Sequence, residues 1–124
     1  MSVAFSAALL DAQTAGRLEA TRQLLAGGAV VCHAAPRPPA GEPNPYPAIT
    51  RIPFAVGVGA VADGALTLTA PIEGQCLQAG VIAWCRIETA AGTWLCDFDA
   101  ADLDLDLTAV MPGAFVRLMS GVFR

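Results

Sequence analysis

Gly80–Phe123 reads GVIAWCRIETAAGTWLCDFDAADLDLDLTAVMPGAFVRLMSGVF, and this stretch decides the fold class. It begins as a β-hairpin carrying Trp84 and Trp94, continues as an alternating Asp-Leu segment and ends in a closing strand. A period of two places Asp102, Asp104 and Asp106 on one face and Leu103, Leu105 and Leu107 on the other. Leucines arranged in that way are buried only against another sheet or another subunit. The aspartates then face water, an ion or a partner. The pattern belongs to a β-structured building block rather than to an enzyme.

The hairpin can be registered from its own side chains. A loop centred on Ala90-Ala91 sets Ile87 opposite Trp94, Cys85 opposite Cys96 and Ala83 opposite Phe98, six residues on one apolar face. The reverse face carries Trp84, Arg86, Glu88, Thr93, Leu95 and Asp97, an amphipathic set suited to an interface. Gly92 also permits a three-residue loop with a bulge, which breaks direct opposition. In the first register Cys85 and Cys96 are close enough for a disulfide. The alternative is four reduced, buried cysteines, Cys32 and Cys76 included, as expected of a cytoplasmic product.

Upstream, residues 6–26 form the one convincing helix, with Ser6 as its cap and Gly27-Gly28 beyond its end. Ala7, Leu10, Thr14, Leu18, Thr21 and Leu25 share a face, widened by Leu9 and Leu24. Gly16 costs about 1 kcal/mol against alanine in mid-helix, which favours a start nearer Thr14. Ala29–His33 is the first strand. Residues 34–48 contain six of the nine prolines and form a loop. Such an excursion either lies loose on the surface or reaches a neighbouring subunit, with Pro43, Pro45 and Tyr46 as its contact points. Ile49–Val61 is extended, with Ile52, Phe54, Val56 and Val58 on one face. Asp63-Gly64 marks a hairpin turn before the strand Ala65–Ala70, and Pro71–Gln78 is a loop. Residues 49–124 thus supply the strands of a single antiparallel β-sandwich or jelly-roll-like domain, about seven in all, with one N-terminal α-helix. The fold class is mainly β, and residues 1–124 are one domain.

Composition narrows the function. The 124 residues are 55% hydrophobic and only 15% charged, with a mean hydropathy of +0.55. Alanine and glycine account for part of this. The remainder suits a small domain whose apolar surface is covered by other subunits. No run reaches the roughly 18 apolar residues of a membrane span, and Met1–Leu10 lacks the basic start of a signal peptide. The expected product is soluble and made in the cytoplasm. There is no lysine, the seven arginines are scattered and the net charge is −4, which argues against nucleic acid.

Chemistry is sparse. His33 is the only histidine, no CxxC pair exists, and neither a triad, a zinc site nor a phosphate loop can be assembled. Asp102, Asp104 and Asp106 could give calcium some of its six to eight oxygens. Their strand-like spacing fits a solvated row better, or one paired with Arg117. No catalytic residue, metal or cofactor is assigned. Trp84, Trp94 or Tyr46 could serve as a stacking platform in a carbohydrate- or receptor-binding module, the alternative function.

Several segments together resemble a family. They are Arg17-Leu18-Glu19-Ala20 in the helix, the first strand and its proline loop, and Gly64-Ala65-Leu66-Thr67-Leu68. Ala79-Gly80, Ala83-Trp84-Cys85-Arg86, Gly92, Asp97, Ala101-Asp102-Leu103-Asp104-Leu105 and Gly113 follow. The chain resembles the small virion structural proteins of tailed bacteriophages encoded in head–tail gene clusters. It departs from that pattern in the density of prolines in its loop and in its four cysteines. The resemblance implies a non-enzymatic subunit found in the virion and made in the host cytoplasm. Such a subunit assembles as a trimer or ring of copies and touches other virion proteins of the tail, neck, collar, fibre base or capsid exterior. Trp84, Arg86, Tyr46, Pro43, Pro45, Asp102, Asp104 and Asp106 are the expected interface residues.

Overall fold

Ser6 caps helix α1 (Ala7–Leu25), its hydroxyl accepting a 3.1 Å hydrogen bond from Leu9 N, and Gly27 takes a left-handed φ of +74° just past its end. Only the second half of the anticipated stripe is used. Leu18 and Leu25 are buried, and Thr14 and Thr21 half-buried, at four- and three-residue spacing. Residues 7–13 are exposed, so Ala7 and Leu10 lie in solvent. The helix outruns the β-structure beneath it. Gly16 does not delay its start.

The computed structural model describes residues 6–124: one helix and eleven short strands, a mainly β chain. The strands are β1 (Ala29–His33), β2 (Thr50–Pro53), β3 (Gly59–Ala62), β4 (Ala65–Leu68), β5 (Ile72–Gln75) and β6 (Gly80–Val81). After them come β7 (Trp84–Glu88), β8 (Trp94–Asp99), a 3₁₀ turn (Ala100–Asp102), β9 (Ala109–Val110), β10 (Phe115–Leu118) and β11 (Val122–Phe123). They pair as four sheets with orders β2-β1-β7-β8, β11-β4-β3, β10-β5 and β6-β9, every ladder antiparallel. One apolar cluster joins them, with Leu18 and Leu25 from the helix, Val30, Ile52 and Ile87 from the largest sheet, and Leu66, Val110 and Val116 from the others.

Short-range signals are honoured where the turn is tight. Asp63 and Gly64 both have positive φ, 52° and 75°, and close the β3–β4 hairpin in two residues. Elsewhere the structure corrects the expectation. Ile49–Val61 is not continuous: left-handed φ values at Gly57 and Val58 turn the chain out of the first sheet toward β4, leaving Val56 fully exposed. Pro71–Gln78 is not only loop, because Ile72–Gln75 pairs with β10. The Asp-Leu stretch is not a regular strand either. It opens in the 3₁₀ turn and meets β10 over a short length only, at the bridge Leu105–Leu118 and at Asp106, whose N donates to Arg117 O at 3.1 Å. Its alternation survives in burial for Leu103 and Leu105, which pack against the core, and fails at Leu107, which is exposed.

β5 crosses β2 at very close range. Any Cβ on Gly74 would sit inside the contact radius of Arg51 O and 2.8 Å from Thr50 Oγ1. The Thr50 hydroxyl donates to Gln75 O at 2.9 Å across the same crossing. Glycine is required there for space.

The Trp84/Trp94 hairpin adopts the bulged form. Ala90-Ala91-Gly92 make the loop, closed by Thr89 N to Thr93 O at 2.9 Å, with Gly92 at φ +83°. An irregularity between Ile87 and Glu88 then sets Ile87 opposite Cys96, Cys85 opposite Phe98 and Arg86 opposite Asp97. The core face keeps Cys85, Ile87, Cys96 and Phe98. Trp94 leaves it and pairs with Glu88. Cys85 therefore does not meet Cys96. Its cross-strand partner on β1 is Cys32, with 3.4 Å between the sulfurs of two free, buried thiols. That contact and burial push the Cys32 thiol far above its ordinary range.

Candidate functional site

β1 is buried at all five positions, not alternately. Val30 and Cys32 face the core, while Val31 and His33 face the other way, beside Arg86 and Trp84 of β7. The cover over that second face is the proline-rich loop. It folds back onto that face. Arg37 pairs with Asp99 at 2.8 Å, Gly41 N donates to Asp97 Oδ2 at 3.3 Å, and Asn44 meets His33.

Beneath the loop lies a polar–aromatic stack. His33 stacks on Trp84 with centroids 4.5 Å apart and planes at 20°, Arg86 lies 5.1 Å from the Trp84 ring centre, and Trp84 Nε1 donates to Ala34 O at 3.0 Å. Arg86 grips Asp97 with two hydrogen bonds, 2.7 and 3.1 Å. Their side chains are only 9% and 1% exposed. Trp94 Nε1 adds another donor to Asp97 at 3.1 Å. Burial pushes the Asp97 carboxyl up, but the donors Arg86, Gly41 and Trp94 together outweigh it and hold the group below its ordinary value.

This arrangement corrects the assignment of Trp84 and Arg86 to an exposed interface. Trp84 is 0% exposed and Arg86 is buried, because the loop seals their face. The two tryptophans exchange roles, and Trp94, expected inside, is 43% exposed and rests on Gly41. Tyr46, Pro43 and Pro45 do lie exposed on the outer side of the loop. The sequence offered no sign of the His33–Asn44 or Gly41–Asp97 contacts, since each joins residues that only the fold brings together.

The His33 contact has a fixed polarity. Asn44 Oδ1 accepts from Tyr46 N at 3.3 Å, which turns Nδ2 toward His33 Nδ1 at 2.9 Å. Nδ1 must therefore accept, and the ring is neutral. Burial first, then the nearby Arg86 charge, lower the His33 pKa from its ordinary 6.5, with Asp97 opposing. Below about pH 6.5 the unfolded chain takes up a proton that the folded chain resists, so stability falls on acidification until the lowered folded value is reached. Between about pH 7.5 and pH 5, the thermal midpoint is expected to drop less in His33→Gln than in the parent. Equal drops would remove His33 from the account.

The aspartate row divides among separate partners. Asp106 accepts from Arg117 N at 2.8 Å and pairs with its guanidinium at 3.4 Å, the pairing expected from the sequence. Arg117 also meets Glu73 at 3.2 Å. Asp104 accepts from the Ser120 hydroxyl at 2.7 Å, and Asp102 is exposed. Among the described residues, no three His, Cys, Asp or Glu side chains converge as a metal site requires. No described helix is long and apolar enough to cross a membrane.

Among the described residues, apolar surface is open at several places, two of them built by the strands. On β6–β9, Val81 opposes Ala109, and Leu107 and Met111, on either side of β9 in the chain, are exposed as well. Val81 and Met111 are 61% and 68% exposed. The second is a groove of about 380 Å³ floored by Leu68, Ile87, Phe98, Leu103 and Leu118, with Asp102, Asp104 and Arg124 among its lining residues. Nothing local announced the groove.

These features define a class: a mainly β domain with one helix, a loop-sealed polar face and open apolar faces. No protein-family model matches the chain, and no curated protein or solved structure is detectably similar to it.

Proposed function

We propose that this chain is a non-enzymatic structural subunit of a tailed-phage particle. It is a sandwich-type block that packs against copies of itself, as a trimer or ring, and against other virion proteins of the tail, neck, collar, fibre base or capsid exterior. The observation that carries this proposal is the exposure of the apolar side chains Val81, Leu107 and Met111 at and beside β6–β9. Support also comes from the commitment of its polar groups to internal contacts: His33 to Asn44, Arg86 to Asp97, Asp106 to Arg117. The mechanism is geometric, with many modest contacts repeated around a closed symmetry axis.

Mass spectrometry of purified particles should find the protein at a stoichiometry set by that axis. Light scattering of the purified protein should find a closed oligomer that Met111→Asp weakens. A protein missing from particles and monomeric in solution would overturn the proposal. The carbohydrate- or receptor-binding alternative now rests on Trp94 and Tyr46, the exposed aromatics of the loop-covered side. Specific glycan capture lost in Trp94→Ala would favour it.

A further inference from the structure

Of the four free cysteines, two are direct neighbours in the middle of the largest sheet. Cys32 of β1 stands opposite Cys85 of β7 in an antiparallel ladder, and their sulfurs are 3.4 Å apart. Opposed residues of such a ladder have Cα atoms about 4.5–5.5 Å apart, inside the range of about 4.4–6.8 Å that a disulfide spans. No other two cysteines are placed in this way. Cys96 stands opposite Ile87. Cys76 lies just past β5, which pairs with β10 and not with β1 or β7. Access then decides when the pair can react. Cys32 and Cys85 are both 0% exposed, and β1 and β7 are the two inner strands of their sheet. A thiol exchanges as its thiolate, and only where a disulfide can reach it. The neighbouring Cys85 sulfur and burial both hold Cys32 in its protonated form.

We infer that Cys32 and Cys85 are an oxidation site that closes as a cross-strand disulfide while the chain folds and is then sealed in whichever state folding left it. The oxidant is a low-molecular-weight disulfide such as oxidised glutathione. One cysteine sulfur attacks it and releases the first thiol, and the other attacks the mixed disulfide and releases the second. One S–S bond forms in the chain and one breaks in the oxidant, while two electrons and the two cysteine protons leave on the released thiols. The bond ties β1 to β7 across 53 residues of chain, beside the point where the proline-rich loop departs after His33. It lies within one subunit, so it does not depend on copies packing together.

The test is to unfold the chain in urea, refold it with oxidised glutathione or with dithiothreitol, then denature, alkylate and weigh it. Cys76→Ala/Cys96→Ala keeps only the pair. It should offer two thiols after dithiothreitol and none after oxidised glutathione, with two hydrogens lost and no glutathione attached. In the parent, peptide mapping should find the bond between Cys32 and Cys85. The oxidised form should unfold at higher urea than the reduced form, because the bond restricts the unfolded chain. A bond between any other two cysteines, two thiols still free after refolding in oxidised glutathione, or a fold regained only in dithiothreitol would overturn the site. Once folded, the reduced chain should resist oxidised glutathione and the oxidised chain should resist dithiothreitol, while both react in urea. Equal rates with and without urea would overturn the sealing.

Discussion

Asp97→Ala should cost about 3–5 kcal/mol of folding free energy, the range for stripping one partner from a buried ion pair. Arg86 would be left charged, nearly sealed and facing an empty space beside Trp84. The loss spreads further, because Gly41 N and Trp94 Nε1 also donate to that carboxylate. Residues 34–48 should therefore loosen, which limited proteolysis would reveal as early cleavage in the loop. Asp99→Ala is the internal control. Its pair with Arg37 is substantially exposed on both sides, and such pairs contribute at most about 1 kcal/mol. Replacing both members, Arg86→Met with Asp97→Leu, should recover part of the loss by removing the orphaned charge. Urea denaturation measures all three. A cost below about 1 kcal/mol for Asp97→Ala would show that this pair does not hold the loop face. The pH sign is the usual one for a carboxylate. Since the folded pKa lies below the ordinary 3.8, its contribution is present above that value and fades as pH falls through the folded one.

Gly74→Ala should be strongly damaging for the addition of a single methyl. The new Cβ would meet the backbone of Arg51 and the Thr50 hydroxyl, neither of which can swing aside as a flexible side chain would. β5 and β2 must then separate, breaking the Thr50–Gln75 hydrogen bond. A cost of about 3 kcal/mol, at the upper end for overpacking, or failure to accumulate folded protein is expected. Gly16→Ala makes the contrast. Nothing lies within 4 Å of its missing Cβ, and the helix should gain about 1 kcal/mol. The same chemical substitution thus acts with opposite sign, and denaturant midpoints of the two variants check both. A neutral Gly74→Ala would mean that the sheets do not cross so closely.

The local features were legible in the chain because their causes are local. The Ser6 cap, the Asp63-Gly64 turn, the parity that keeps Cys85 and Ile87 on the core face, and the Asp106–Arg117 pairing each follow from a short run or a strand period. The errors share a different origin. Trp94 left the core face because a single extra residue in a ladder reverses which face a side chain takes, whereas Trp84 kept its face and was buried by the loop that folds over it. The helix stripe failed over residues 7–13 because periodicity does not reveal how far a partner surface extends.

By itself, the order of residues determined a mainly β domain with one capped helix, a proline-bearing excursion and few groups able to do chemistry. Only the tertiary structure decided that the excursion folds back and buries His33, Trp84, Arg86 and Asp97, that Cys85 meets Cys32, and that apolar faces stay open at β6–β9 and behind β11. The reason is separation along the chain. Gly41 and Asp97 are 56 residues apart and Cys32 and Cys85 are 53, so no local preference couples them. Their contacts exist only once the sheet that sets them side by side has formed.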